Sequence, residues 1–252
     1  MMTTPTAVRS GIESDVWSAL GAVRDPELDE SIVELRFVSG VQIESDAVHV
    51  RLRLPTYFCA PNFAYLMVSD AFDVVTRVAA GRSVRITLED HFASAEINGG
   101  VSAGAGFQGS FPGQAQGELA ELRLTFQRKA HAACLERAAA QLVKRGRPIE
   151  ELAEARLSDL PDTPERESLL RRRADLGLSI DPAQPMFVDA NGDPIGKPEL
   201  AMHLRLARAT RVSIDGNAHF CRGLLRTRYG DGTTKGTLSA VNSAVKSEGI
   251  TQ

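Results

Sequence analysis

The sequence predicts an α/β (α+β) protein: a small two-layer domain of order helix, strand, strand, helix, strand, followed by a mainly helical extension. Two observations carry this. In "AVHVRLRL" (47–54), Val48, Val50, Leu52 and Leu54 alternate with His49, Arg51 and Arg53, the pattern of a strand with one buried and one solvated face. Apolar residues then recur at helical spacing over 62–80, and again through much of the chain beyond Gly117.

Ser14 is the expected N-cap of a first helix running to Val23, with Trp17, Leu20 and Val23 on one face. Pro26 in "RDPELDE" stops it by disfavouring helical geometry at Asp25 and removing a backbone donor. The stretches 31–45 and 47–55, separated by Ser45-Asp46, read as a strand pair. In "NFAYLMVSDAFDVVTRVAA" (62–80), Phe63, Leu66, Met67, Ala71, Val74, Val75 and Val78 form a helical stripe, with Gly81 just past its end. "SVRITLE" (83–89) reads as the third strand, and helices on one face of such a sheet make a two-layer domain over 12–92.

The chain changes character in 93–117. The segment 98–118 holds seven of the 21 glycines and almost no charge, which predicts a linker or loop. No GK[ST] follows and "GAGFQG" lacks a repeating β-α-β context, so a phosphate cradle is not indicated. The region 118–230 is expected to be mainly helical. One helix is predicted at 118–145, with Leu119, Leu122, Phe126, Ala130, Ala133 and Ala140 as its apolar stripe, another at 148–157, and a third capped by Thr163, with Pro164 first and Gly177 as stop. A hairpin turning at Asn191-Gly192 and two helices at 197–209 and 215–230 follow, and 231–252 is expected to be a flexible tail.

Composition narrows the function. A net charge of -3 over 252 residues gives no reason to expect nucleic acid or an anionic membrane as partner. Three cysteines without a CxxC pair signal neither a disulfide framework nor a closed zinc site, and no run approaches a membrane span or a signal peptide, so a cytoplasmic, reducing setting is expected. The arginines at 205, 208, 211, 222, 226 and 228 read as solvated helix faces or a surface for an acidic protein.

Two turns carry the chemistry. Asp25 and Glu27 lie between the first helix and first strand, and Cys59 lies in "LPTYFCAPNF" (54–63) between the second strand and second helix. A thiol just before a helix start meets unpaired N–H groups and the positive end of the macrodipole, which favour a thiolate. Asp90, His91 and Glu96, directly after the third strand, are a weaker set of candidate metal ligands reaching the same sheet edge. His131 with Cys134, and His219 with Cys221, are read as structural pairs, the latter because a spacing of two points side chains to different sides of a helix.

The succession "ALGAVRDPELDESIVELRFV", "VHVRLRLPTYFCAPNF" and "VRITLED", over roughly 14–90, resembles the small iron–sulfur assembly domain of the SufT and PaaD type. Asp25-Pro26-Glu27 matches that family's Asp-Pro-Glu motif, and Thr56 to Cys59 its Thr-x-x-Cys turn; Tyr57, Phe58 and Ala60 depart from the family's usual Pro-Gly-Cys-Pro. The resemblance implies a non-catalytic metal-centre or iron–sulfur maturation factor, with Cys59 as the functional thiol and Asp25, Glu27 and Thr56 as supporting loop residues. It implies a transient iron or iron–sulfur cargo, and a client metalloprotein or assembly machinery as partner, with homo-oligomerisation left open. The extension has a faint similarity to proteins accompanying bacterial multicomponent diiron monooxygenases, which suggests such an oxygenase or its reductase as client. A protein-binding adaptor and a cysteine-nucleophile enzyme with His91 as base are the alternatives.

Overall fold

The protein is described by a computed structural model covering residues 5–113, 118–189 and 191–230. Helix α1 is Pro5–Ala22, so Ser14 lies inside it rather than capping it; Ile12, Val16 and Leu20, one turn apart, are its buried face. Strands β1 (Val38–Ile43) and β2 (Ala47–Arg53) pair antiparallel. The expected strand at 31–45 is therefore shorter. Residues 31–36 form turns because Ser31 caps the Val33 amide and receives Leu35 N at its carbonyl, burying Ile32, Leu35 and Phe37.

Helix α2 (Pro61–Val78) carries the chain back over the sheet to β3 (Ser83–Glu89), which pairs parallel to β2 in register from Ala47↔Ser83 to Arg53↔Glu89. The sheet order is β1-β2-β3, and helix-strand-strand-helix-strand is the order observed. Val48, Val50, Leu52, Ile86 and Leu88 from the sheet join Ala64, Met67, Ala71 and Val75 of α2 in one core. Each fully buried side chain of the Val, Leu or Ile type adds about 1.5–3 kcal/mol.

The glycine-rich stretch is not the loop that composition suggests. Helices α3 (Ser94–Ser102) and α4 (Gly106–Ser110) occupy it, and Ile97, Val101 and Phe111 complete the first core. Gly100 permits this: a Cβ there would stand 2.6 Å from Cβ of Ser110, so the crossing of α3 and α4 requires its absence. Burial of the apolar residues between the glycines offsets their entropic cost. Residues 114–117 lie outside the described residues, as does the tail at 231–252.

Helix α5 (Glu118–Lys144) spans the predicted range, although Ala140 is exposed. The helix expected at 148–157 is instead a pair of 3₁₀ turns, Ile149–Glu154 and Leu157–Asp159, flanked by extended backbone at Pro148, Ala155 and Arg156. Helix α6 (Pro164–Asp175) starts on Thr163, whose hydroxyl accepts from Arg166 N at 3.4 Å, and ends before Gly177 at φ 70°. The expected hairpin is a short one: Ile195 N donates to the Phe187 carbonyl at 3.0 Å and Asp189 N to the Asp193 carbonyl at 2.8 Å, Val188 and Pro194 form an antiparallel bridge, and the Asp189 side chain staples the turn by accepting from Asn191 N and Asp193 N.

Helix α7 (Lys197–Tyr229) is continuous where two helices were expected. It runs through Asp215-Gly216 because Ile214 and Ala218 are buried on either side and Asp215 pairs with Arg137 and Arg211. Its first turns pack Leu200 into a second core with Leu135, Ala138, Leu169 and Phe187, while Ala218 and Leu225 enter the first. One helix thus spans both cores. Among the described residues no helix is long and apolar enough to cross a membrane.

Candidate functional site

Because β2 and β3 run parallel, their C-terminal ends open at one edge of the sheet, the position where α/β sheets place their loops for function. β2 leads into the Cys59 turn and β3 into Asp90 and His91. Thr56 organises the first turn: its hydroxyl accepts from Phe58 N at 3.2 Å and lies 3.3 Å from Cys59 Sγ. Ala60 caps α2 and Pro61 opens it, so the half-buried thiol sits immediately ahead of a helix.

His91 is buried and meets the same turn. Its Nδ1 accepts from Ala93 N at 3.2 Å, which leaves the proton on Nε2 to be donated to the Cys59 carbonyl at 2.7 Å. Burial lowers its pKa, with the Cys59 carbonyl acting the other way and Arg228 in the same direction. Both ring nitrogens are engaged with backbone, and neither is offered to the Cys59 sulfur. Asp90 adopts φ 51° and turns its carboxylate to the Tyr229 hydroxyl at 3.1 Å. Glu96 is exposed in the first turn of α3, away from these bonds.

The Asp25 loop lies beside this edge. Asp25 is buried and one of its oxygens accepts from Glu27 N and Leu28 N, each at 2.9 Å, so the aspartate shapes the Asp-Pro-Glu turn. Burial nevertheless dominates those two bonds and raises its pKa to about 6. Helices from the C-terminal region hold this loop from several sides: Arg172 of α6 pairs with Asp29 in a buried ion pair, Cys134 of α5 lies 3.7 Å from Asp29 Oδ2, Asn217 of α7 donates to Glu27 at 3.2 Å, and Arg222 of α7 pairs with Glu30.

The same stretch of α7 reaches the Cys59 turn. Arg228 donates to the Leu54 carbonyl at 3.3 Å and to the Asp90 carbonyl at 2.9 Å, and Arg53 lies over the Tyr229 ring. Between these anchors, Cys221 shares the inward face of α7 with Ala218 and Leu225 and packs, half-buried, on the core that Cys59 also touches. Burial pushes its thiol up to about 11, and the charges of Asp25, Cys59 and Glu27 push in the same direction. Sequence reasoning set Cys221 aside with His219. His219 does face outward, but the signal that mattered was the spacing of Ala218, Cys221 and Leu225 on one face.

Around the thiol turn, Tyr57, Phe58 and Phe92 are exposed, Phe58 to 78%. Their rings stand 5.1 to 6.2 Å apart as one aromatic patch. His131 and Cys134 are buried in the second half of the molecule, where burial and Arg173 lower His131 to about 4, and burial and Asp29 raise Cys134 to about 11. Among the described residues no group of three or more His, Cys, Asp and Glu side chains could hold a metal ion.

Residues 13–88 match a family model described as iron-sulfur cluster assembly protein. The match ends one residue before the end of β3 and includes both the Asp25 loop and the Cys59 turn. No curated protein and no solved structure matches the chain.

Proposed function

We propose that the protein is a maturation factor that delivers iron or an iron–sulfur unit to a client metalloprotein. The assembly-type domain at 13–88 supports the general role. The observation that carries the reading further is the exposed aromatic patch of Tyr57, Phe58 and Phe92 around a half-buried thiol. Large apolar side chains held out to water mark a protein docking surface, and here the surface surrounds the one sulfur that a transient transfer would use.

Asp25, Glu27 and Thr56 support the two loops, and the helical extension fixes their relative position. The engagement of both His91 nitrogens favours a docking and transfer role over nucleophilic catalysis, which needs a base set against the sulfur. The client suggested by resemblance is a multicomponent diiron monooxygenase or its iron–sulfur reductase. The test is metal content of that client, purified anaerobically from cells carrying wild-type protein, Cys59→Ala or a deletion. Iron loss in both altered strains is expected; full client iron in the deletion strain overturns the reading.

A further inference from the structure

Arg36, Arg53, Arg222 and Arg226, from three separate parts of the chain, line one cleft of about 180 Å³, and Glu34 is the one carboxylate lining it among the described residues. Leu35 and Leu225, both buried, are its apolar walls. Bonds fix how these parts meet. Arg53 N, at the end of β2, donates to the Phe37 carbonyl at 2.8 Å, beside Arg36, and Arg228 of α7 donates to the Leu54 carbonyl at 3.3 Å, beside Arg53. Arg222 and Arg226, one turn apart, share a face of α7.

The guanidiniums are unequally engaged. Arg222 pairs with Glu30. Arg53 lies 4.5 Å over the Tyr229 ring, and its Nε is buried without a hydrogen-bond partner. Arg36 is exposed, and its side chain has no hydrogen-bond or ion-pair partner among the described residues. Its backbone is nevertheless held at φ 62°, a left-handed conformation that strains a long side chain and that glycine adopts freely. Strain retained at an unpaired arginine points to what its side chain is there to hold.

We propose that this cleft binds a phosphate dianion, free or as the terminal group of a small molecule. Guanidinium grips phosphate through paired N–H bonds, and the apolar walls strengthen each such bond by lowering the local dielectric. Four arginines set against Glu34 and Glu30 leave two positive charges in excess, which matches the charge of close to -2 that a phosphate group carries near neutral pH. Donors that arrive from a loop, a strand end and a helix suit a tetrahedral anion whose oxygens point several ways, whereas one guanidinium fork satisfies a planar carboxylate. The site is independent of the maturation reading, because it stands on the arginines whatever the cargo of the Cys59 turn.

The test is calorimetric titration of the full chain with inorganic phosphate, at an ionic strength held constant with sodium chloride. Wild type should take up one equivalent saturably, and Arg36→Gly should bind at least fivefold more weakly. Because glycine accepts φ 62°, that variant keeps the fold, which thermal unfolding verifies. Arg208→Ala removes the same charge about 21 Å along α7 from Arg222 and should bind as wild type does. No saturable uptake by wild type, or undiminished binding by Arg36→Gly, overturns the proposal. An equal loss in Arg208→Ala also overturns it, by reducing the effect to the general field of a basic surface. Acetate, a planar monoanion, should not displace phosphate at equal concentration; displacement overturns the assignment of a tetrahedral dianion. Glycerol 3-phosphate separates the two sources: binding as tight as that of inorganic phosphate identifies a terminal phosphate group, binding at least tenfold weaker identifies the free ion, and both support the site.

Discussion

His91 donates from Nε2 to the carbonyl oxygen of Cys59 at 2.7 Å, so the residue after β3 holds the backbone of the thiol residue after β2. The bond ties two loops that are 32 residues apart in the chain through the backbone, while the sulfur meets the Thr56 hydroxyl at 3.3 Å. The histidine serves as a strut.

Replacing His91 by Ala should remove partners from the Cys59 carbonyl and the Ala93 amide, costing about 1–3 kcal/mol. Urea unfolding measures the loss, and alkylation of Cys59 should accelerate as its turn loosens. Unchanged stability and alkylation would remove the strut role.

Asp25 offers a test of opposite sign. Its folded pKa, about 6, lies above the ordinary 3.8, so its contribution to stability is fully present below about pH 4 and is lost as pH rises through 6. Asp25→Asn keeps an oxygen for the Glu27 and Leu28 amides without the buried charge. It should be more stable than wild type at pH 7.5 by about 1–3 kcal/mol, with the advantage vanishing near pH 4. His131 works the other way: with a folded pKa of about 4 against 6.5, its contribution is present above 6.5 and lost as pH falls toward 4. The comparison of Asp25→Asn with wild type cancels that background, and a difference independent of pH would refute the assignment.

Arg172 and Asp29 form a buried ion pair between α6 and the Asp25 loop. Arg172→Met strands the aspartate and should cost about 3–5 kcal/mol, much of it restored by adding Asp29→Asn. Thermal or denaturant unfolding of the single and double variants decides this; additive losses would mean the pair is not coupled.

Phe58, 78% exposed, should be dispensable for the fold and needed for docking. Phe58→Ser is expected to change stability by less than about 0.5 kcal/mol. It should weaken client binding by about 2 kcal/mol, roughly thirtyfold, in a pull-down or calorimetric titration. Wild-type affinity would count against the patch.

Local signals made the first half of the molecule legible. The alternation of Val48, Val50 and Leu52, and the stripe from Phe63 to Val78, depend only on neighbours in the chain, and β2, α2 and β3 stand where they predict. Signals that tertiary contact overrides misled. Gly100 reads as a breaker until Ser110 is seen pressed against it, and Asp215-Gly216 reads as the start of a separate helix until Ile214 and Ala218 are found buried on either side. The Cys59 turn was visible as sequence, and so was the Asp25 loop, whose two amide bonds to one oxygen are local. Cys221 was not. Its place depends on a helix that meets Glu27 across 190 residues, a separation over which no periodicity carries information.

The contacts of α7 also impose an order in time. Asp90 and Tyr229 are 139 residues apart, so at roughly 5–20 residues per second of synthesis the Asp25 loop and the Cys59 turn leave the ribosome on the order of ten seconds before the helix that fastens them together. Throughout that interval a nascent chain presents the Glu30 carboxylate without Arg222, and the Leu54 and Asp90 carbonyls that flank Cys59 and its aromatic rim without Arg228. Newborn and finished protein therefore differ at the site itself, and a thiol-reactive pulse given during translation would meet a different target from one given afterwards.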